Sequence, residues 1–134
     1  METLVNIDVP DLAAAIDFYQ RATGLRLLRR LFEGTVAELT GGSMRMLLLE
    51  KEDGSRPVPG ARLSRNYRRH WTPVHLDFVV QDIEVATERA VAAGARLEGP
   101  VQTFVWGRQA CLSDPFGHGL CLLQWVGDGY GEVA

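Results

Sequence analysis

His75, Asp77, Cys111 and Cys121 are the residues of this chain whose types and spacing could do chemistry. His75 and Asp77 stand two apart in HisLeuAspPheVal, a stretch of strand-forming residues, so a strand puts both on one face together with Val79. An Asp–His pair on one face is a candidate general acid and base, and Asp77 could act as the base if burial raised its pKa. Cys111 and Cys121 flank AspProPheGly at Asp114–Gly117. A three-residue turn over Pro115–Gly117 pairs Asp114 with His118 and sets Cys111 directly opposite Cys121. If both thiols converge with His75, they make a Cys2His set suited to Zn2+, with Asp77 or water as a fourth ligand. Plainer roles compete: His75 bonded to Asp77 or to backbone, and the cysteines as small packing residues.

The elements that must position these groups come from an internal echo. LeuValAsnIleAspValProAspLeu at Leu4–Leu12 aligns with HisLeuAspPheValValGlnAspIle at His75–Ile83 at a constant offset of 71. By that repeat Leu4, Asn6 and Asp8 share one strand face as His75, Asp77 and Val79 do, and Asp8 is a second candidate base. Each copy leads through Asp11 or Asp82, a helix N-cap, into an alanine-rich helix that Gly24 or Gly94 closes. The first unit reads as strand Leu4–Val9, helix 11–23, and strands near 26–31, 35–39 and 44–50. The second reads as strand 75–80, helix 82–93, and strands near 96–97, 109–112 and 119–125. Both are βαβββ, with Phe18 and Val91 expected in the core. A linker at 51–73, rich in Pro, Gly and Arg, connects the modules (about 1–50 and 74–126), and 127–134, with Tyr130, reads as a mobile tail. Arg62, Arg65, Arg68, Arg69 and His70 make the linker basic, either as a guard over an anionic ligand or as a solvated connector.

Composition narrows the function classes. The 134 residues are 46% hydrophobic and 23% charged, which suits one globular domain with a core of its own. A net charge of −3 argues against nucleic acid as a partner. No apolar run approaches the roughly twenty residues of a membrane span, and Glu2 and Asp8 interrupt any secretory signal. Two cysteines are too few for a disulfide scaffold and point to a reducing cytoplasm.

ValProAspLeu followed by AlaIleAspPheTyr and ThrGlyLeu, then HisLeuAspPheValValGlnAspIle, AlaAlaGlyAlaArgLeu, TrpGlyArg and AspProPheGlyHisGlyLeuCysLeuLeu, resembles the vicinal oxygen chelate superfamily. That group holds glyoxalase I, bleomycin-resistance proteins, fosfomycin-resistance enzymes and extradiol dioxygenases. The resemblance runs from about Leu4 to Gln124. It implies an α+β fold of two βαβββ modules, their eight strands forming a U-shaped mixed sheet around a central cavity with helices on its outer face, and a homodimer. Similar metal-dependent proteins hold a divalent ion at four positions, two in each module. Carried over, these are Leu4, Met46 or Leu48, His75 and Cys121, with Glu50 on the strand parity of Met46 and Leu48. Only His75 is a conventional ligand, so no metal or cofactor is expected, and an ion held through His75 is the lesser alternative.

The pocket so implied has apolar walls (Leu4, Met46, Leu48, Val79) and polar groups from Asn6, Asp8, Asp77 and His75. Both thiols, Cys111 and Cys121, point inward. Trp106 and Arg108 of TrpGlyArg finish its mouth, as that segment often does in similar proteins. Such a lining suits a small, partly aromatic molecule. The expected function is metal-independent binding and sequestration of a small organic ligand. The alternative is a glyoxalase-like lyase, isomerase or dioxygenase.

Overall fold

The computed structural model describes all residues, 1–134. The chain divides into two compact units, Met1–Arg68 and Arg69–Ala134. No helix is long and apolar enough to cross a membrane.

In the first unit, strand β1 (Leu4–Val9) leads into helix α1 (Leu12–Thr23), followed by β2 (Arg26–Leu31), β3 (Val36–Thr40) and β4 (Arg45–Glu50). The sheet order is β1-β4-β3-β2, with β1 parallel to β4 and the other pairs antiparallel. The second unit repeats this plan: β5 (Leu76–Val79), α2 (Ile83–Ala93), β6 (Arg96–Leu97), β7 (Gln102–Thr103), β8 (Gly107–Ser113) and β9 (Gly119–Trp125). Its order is β5-β9-β8-β6, and the short β7 also pairs with β8. The fold is α+β, built from duplicated modules. Its nine strands are hydrogen-bonded as two sheets, four strands in one and five in the other, where the family resemblance implies eight strands in one. The additional strand is β7, only two residues long, which hydrophobic alternation cannot reveal.

The two modules solve the same local problems with the same chemistry. Asp11 Oδ1 accepts from the Ala14 amide at 2.9 Å and Asp82 Oδ1 from the Val85 amide at 3.0 Å, each filling one of the helix's unsatisfied donors. A second donor at each helix start is met from the last strand of its own module. Glu50 Oε2 accepts from Leu12 N at 2.9 Å, and Gln124 Oε1 from Ile83 N at 2.8 Å. Gly24 (φ 78°) and Gly94 (φ 118°) end the helices in the left-handed region, where a side chain is disfavoured.

These caps also show which sheet face each helix covers. Glu50 reaches α1, so Met46 and Leu48, which share its parity, lie on the α1 side and are buried. Helix α1 seats Leu12, Ile16, Phe18 and Tyr19 there, with the Phe18 and Tyr19 rings edge-to-face at 4.9 Å. Helix α2 buries Ile83, Ala86, Thr87 and Ala90. Val91, expected in the core, is 46% exposed, because its position rotates off the face set by Ile83 and Ala90.

The segment after β4 has no regular secondary structure, yet it is tied down. Lys51 donates its amide to Val9 O, Gly54 N donates to Arg65 O, Arg65 N donates to Ser55 O, and the Tyr67 hydroxyl donates to Lys51 O at 2.7 Å. The C-terminal stretch also differs from expectation. Gly129–Val133 forms a 3-10 turn, and Tyr130 packs against Trp106 and Trp125 with centroids 5.3 and 4.6 Å away.

Candidate functional site

The second unit contains a cavity of about 320 Å3 lined by Arg69, Trp71, Thr72, His75, Glu98, Gln109, Cys111, Leu112, Gly119, Leu120 and Cys121. Strand register builds it. Asp77 pairs with Cys121 across β5 and β9, and Cys121 pairs with Cys111 across β9 and β8, so one row of partners runs across three strands. Gln109 shares the parity of Cys111 and extends that face. The turn after β8 holds the row in place: Asp114 N donates to His118 O at 2.8 Å, and Asp114 Oδ1 accepts from the Phe116 and His118 amides at 2.8 and 2.9 Å. The three-residue turn and the Cys111–Cys121 pairing are those expected from AspProPheGly. His118 sits at the turn as expected but is half-buried where exposure was expected, with its ring 6.0 Å from that of His70.

Four sequence-predicted residues therefore meet. His75 Nε2 lies 3.2 Å from Asp77 Oδ1, and the two sulfurs are 3.5 Å apart. The ligand atoms of His75, Asp77 and Cys121 all fall within 4.8 Å of one another. The Cys121 thiol is pushed up to about 12 by burial first, then by Cys111 and Asp77, so it is protonated at neutral pH and is no ready nucleophile. Cys111 is the exposed member of the pair.

The rim is charged. Arg69 forms a two-pronged ion pair with Glu98, one prong of which, Nη2 to Oε2, measures 2.9 Å, and the guanidinium holds the Glu98 carboxyl below the usual carboxylate range. Arg69 packs so closely on β9 that a Cβ at Gly119 would lie 2.9 Å from its Nη2. Trp71, 78% exposed, offers an aromatic face beside this pair. Of the linker's basic residues, Arg69 is thus at the cavity. Arg65 instead pairs with Asp8 within the first unit at 2.6 Å.

Trp106 and Arg108 do not finish this cavity. Arg108 shares the parity of Ala110 and Leu112 on the α2 side of the sheet, where it forms a two-pronged ion pair with Glu84 in the first turn of α2. Trp106 stacks on Phe104, centroids 5.0 Å apart and planes 3° from parallel, and meets Tyr130 on its way to the C-terminal turn.

The face of the first sheet away from α1 carries Leu4, Asn6 and Asp8, as expected, but not Met46 and Leu48. Asn6 pairs with Leu47, as Asp77 pairs with Cys121, so Leu47 is the counterpart of Cys121. Glu38 pairs with Leu47, as Cys111 pairs with Cys121. Glu38 is only 2% exposed and accepts from Arg29 Nε at 2.6 Å and Arg45 Nη1 at 3.2 Å. Arg29, with help from Arg45, keeps its carboxyl below the usual range. Glu50 does not turn to this face, since it caps α1. The four-ligand ion site that the family resemblance implies does not fit: Leu4 and Leu47 have no donor atom, which leaves His75 and Cys121.

Residues 4–123 match the family model described as a glyoxalase-like domain. The chain belongs to the glyoxalase-like family of the vicinal oxygen chelate superfamily. An uncharacterized protein of Mycobacterium bovis is 31% identical over 121 residues, covering 88% of this chain and 79% of its own. Among solved structures, the genomically encoded fosfomycin resistance protein FosX of Listeria monocytogenes superposes with a TM-score of 0.72 at 18% identity, covering 99% of this chain and 95% of its own. A glyoxalase-related enzyme from Fulvimarina pelagi gives 0.71 at 18% identity, covering 92% and 87%. At these identities the two structures are likenesses of fold.

Sequence reasoning missed Trp71, Glu98 and Gln109. Trp71 lies in an irregular segment with no period to place it. Gln109 was readable from its parity with Cys111, but a neutral amide suggests no reaction by itself.

Proposed function

We propose that this glyoxalase-like protein binds and sequesters a small, partly aromatic organic molecule in the second-unit cavity without transforming it, and needs no cofactor to do so. The observation that carries the reading is the lining: an exposed indole, an Arg–Glu rim and a His–Asp pair around about 320 Å3, near the small end of known ligand sites. Trp71 supplies a stacking face, while Arg69 and Gln109 can fix the orientation of a carboxylate or carbonyl. The missing donors at Leu4 and Leu47 argue against the ion chemistry of metal-dependent family members, and the protonated Cys121 argues against a thiolate nucleophile.

The test is a panel of small aromatic acids and amides followed by calorimetry. Trp71→Ala should weaken the best binder about 5- to 100-fold, the loss of roughly 1–3 kcal/mol of stacking and contact. Equal affinity in the variant would contradict the assigned site.

The His75–Asp77 pair favours one second reading, a lyase or isomerase that moves a proton at this position. It requires turnover that His75→Ala lowers at least ~100-fold. Assembly as a cytoplasmic homodimer belongs to the proposal as well, because each sheet ends in edge strands that a partner can cover. Light scattering should give about twice the 14.8 kDa chain mass. A concentration-independent monomer would contradict it.

A further inference from the structure

We propose that Cys111 and Cys121 are a redox modification site, a thiol pair that a low-molecular-weight disulfide oxidises to a reversible bond between β8 and β9. Their place in the ladder suits such a bond. Asp114 N donates to His118 O and Val126 N to Trp106 O, and bonded pairs of this kind alternate with unbonded ones along an antiparallel ladder. The Cys111–Cys121 pair lies an odd number of steps from both, so it is an unbonded pair, with Cα atoms about 4.5 Å apart. The Cys111 carbonyl agrees, since it turns away from β9 and accepts from Glu98 N at 2.9 Å, just after β6. A disulfide needs about 4.4–6.8 Å between Cα atoms and about 2.0 Å between sulfurs. The sulfurs already stand 3.5 Å apart, and rotation of the two side chains closes the gap with the strands unmoved.

The two thiols divide the work. Cys111 is exposed and meets the oxidant, whereas Cys121 is buried and its thiol is pushed up to about 12, by burial first. The Cys111 thiolate attacks one sulfur of the oxidant RSSR, and its proton leaves with the first RSH. The Cys121 sulfur then attacks the Cys111 sulfur of that mixed disulfide, and the Cys121 proton leaves on the second RSH. The protein's two thiols are oxidised by two electrons, and one disulfide is reduced to two thiols. Forming the mixed disulfide removes the Cys111 charge that helps to hold Cys121 protonated, and a partner 3.5 Å away replaces an encounter from solution. The Cα spacing falls at the short end of the disulfide range, which strains the bond and keeps it easy to reduce. The fold does not need it, because the strand pairing and the turn are complete with both thiols free. Both sulfurs line the cavity, so its wall changes with their oxidation state.

The inference stands apart from the binding function proposed above, because its test needs no organic ligand. Reduced full-length protein is equilibrated with 2-mercaptoethanol and its disulfide over a range of ratios, quenched with acid, and weighed intact by mass spectrometry. The wild-type chain should lose two hydrogens as a monomeric species and regain them when excess 2-mercaptoethanol is added. Cys121→Ser should stop at one mercaptoethanol adduct, on Cys111. Cys111→Ser should be modified at least about tenfold more slowly than the wild type, since a buried, protonated thiol is the poorer nucleophile. The wild-type masses decide the main point without a variant, so the test stands if Cys121→Ser does not fold. Mixed adducts with no internal bond at any ratio, a bond that joins two chains, a bond that excess thiol does not reopen, or Cys111→Ser modified as fast as the wild type would each overturn the inference.

Discussion

Leu48→Ala is expected to lower the unfolding free energy by about 2–5 kcal/mol, while Leu47→Ala costs about 1 kcal/mol or less. Leu48 is fully buried on the α1 side of its sheet, so truncation removes its contacts and leaves a cavity that the packed rings of Phe18 and Tyr19 cannot readily fill. Leu47 is half-buried on the opposite face. Adjacent residues of one strand thus separate the two faces, and urea denaturation of both variants measures the difference. A larger cost at Leu47 would reverse the face assignment and return Met46 and Leu48 to the ligand side. Because whole domains are stable by only about 5–15 kcal/mol, the Leu48 variant should also express less well.

Asp114→Ala carries the next largest effect, about 2–4 kcal/mol. The buried carboxylate satisfies two backbone amides, those of Phe116 and His118, and each amide left without a partner costs about 1–3 kcal/mol. Asp114→Asn retains an acceptor oxygen and should recover most of the loss. The consequence reaches the site, because this turn sets Cys111 opposite Cys121. In Asp114→Ala, ligand affinity should fall along with stability. Equal stability of the Ala and Asn variants would show that the carboxylate bonds do not hold the turn.

The sequence made the modules legible because their punctuation is chemical. Asp11 and Asp82 cap, Gly24 and Gly94 take left-handed backbone, and AspProPheGly permits one turn length, so strand ends and the cysteine register followed. The inward face of β4 was not legible. The repeat offset is 71 between β1 and β5 but 74 between Leu47 and Cys121, an odd change, and an odd change flips every side chain to the other face. The offset is already 73 between Glu38 and Cys111, so one of those three positions enters at the Gly41–Gly42 turn and the others enter before β3, where no residue signals them. Trp106 and Arg108 were misplaced for a related reason: the resemblance supplied a segment, but the pairing of Arg108 with Gln124 puts it on the side of α2, where Glu84 was available to neutralise it. Arg69 stood among the basic linker residues, but its pairing with Glu98 was not legible, because the two are 29 residues apart, beyond the reach of local pattern.

Ligand binding in the second-unit cavity is tested most directly by mapping the tightest small aromatic binder onto 15N-labelled protein by NMR, with the ligand's own spectrum followed over time. Saturable shifts are expected at the cavity residues alone, led by Trp71, His75, Gln109, Cys111 and Cys121, with the ligand recovered unchanged. Shifts centred on other residues, or conversion of the ligand to product at a rate that depends on His75, would contradict it.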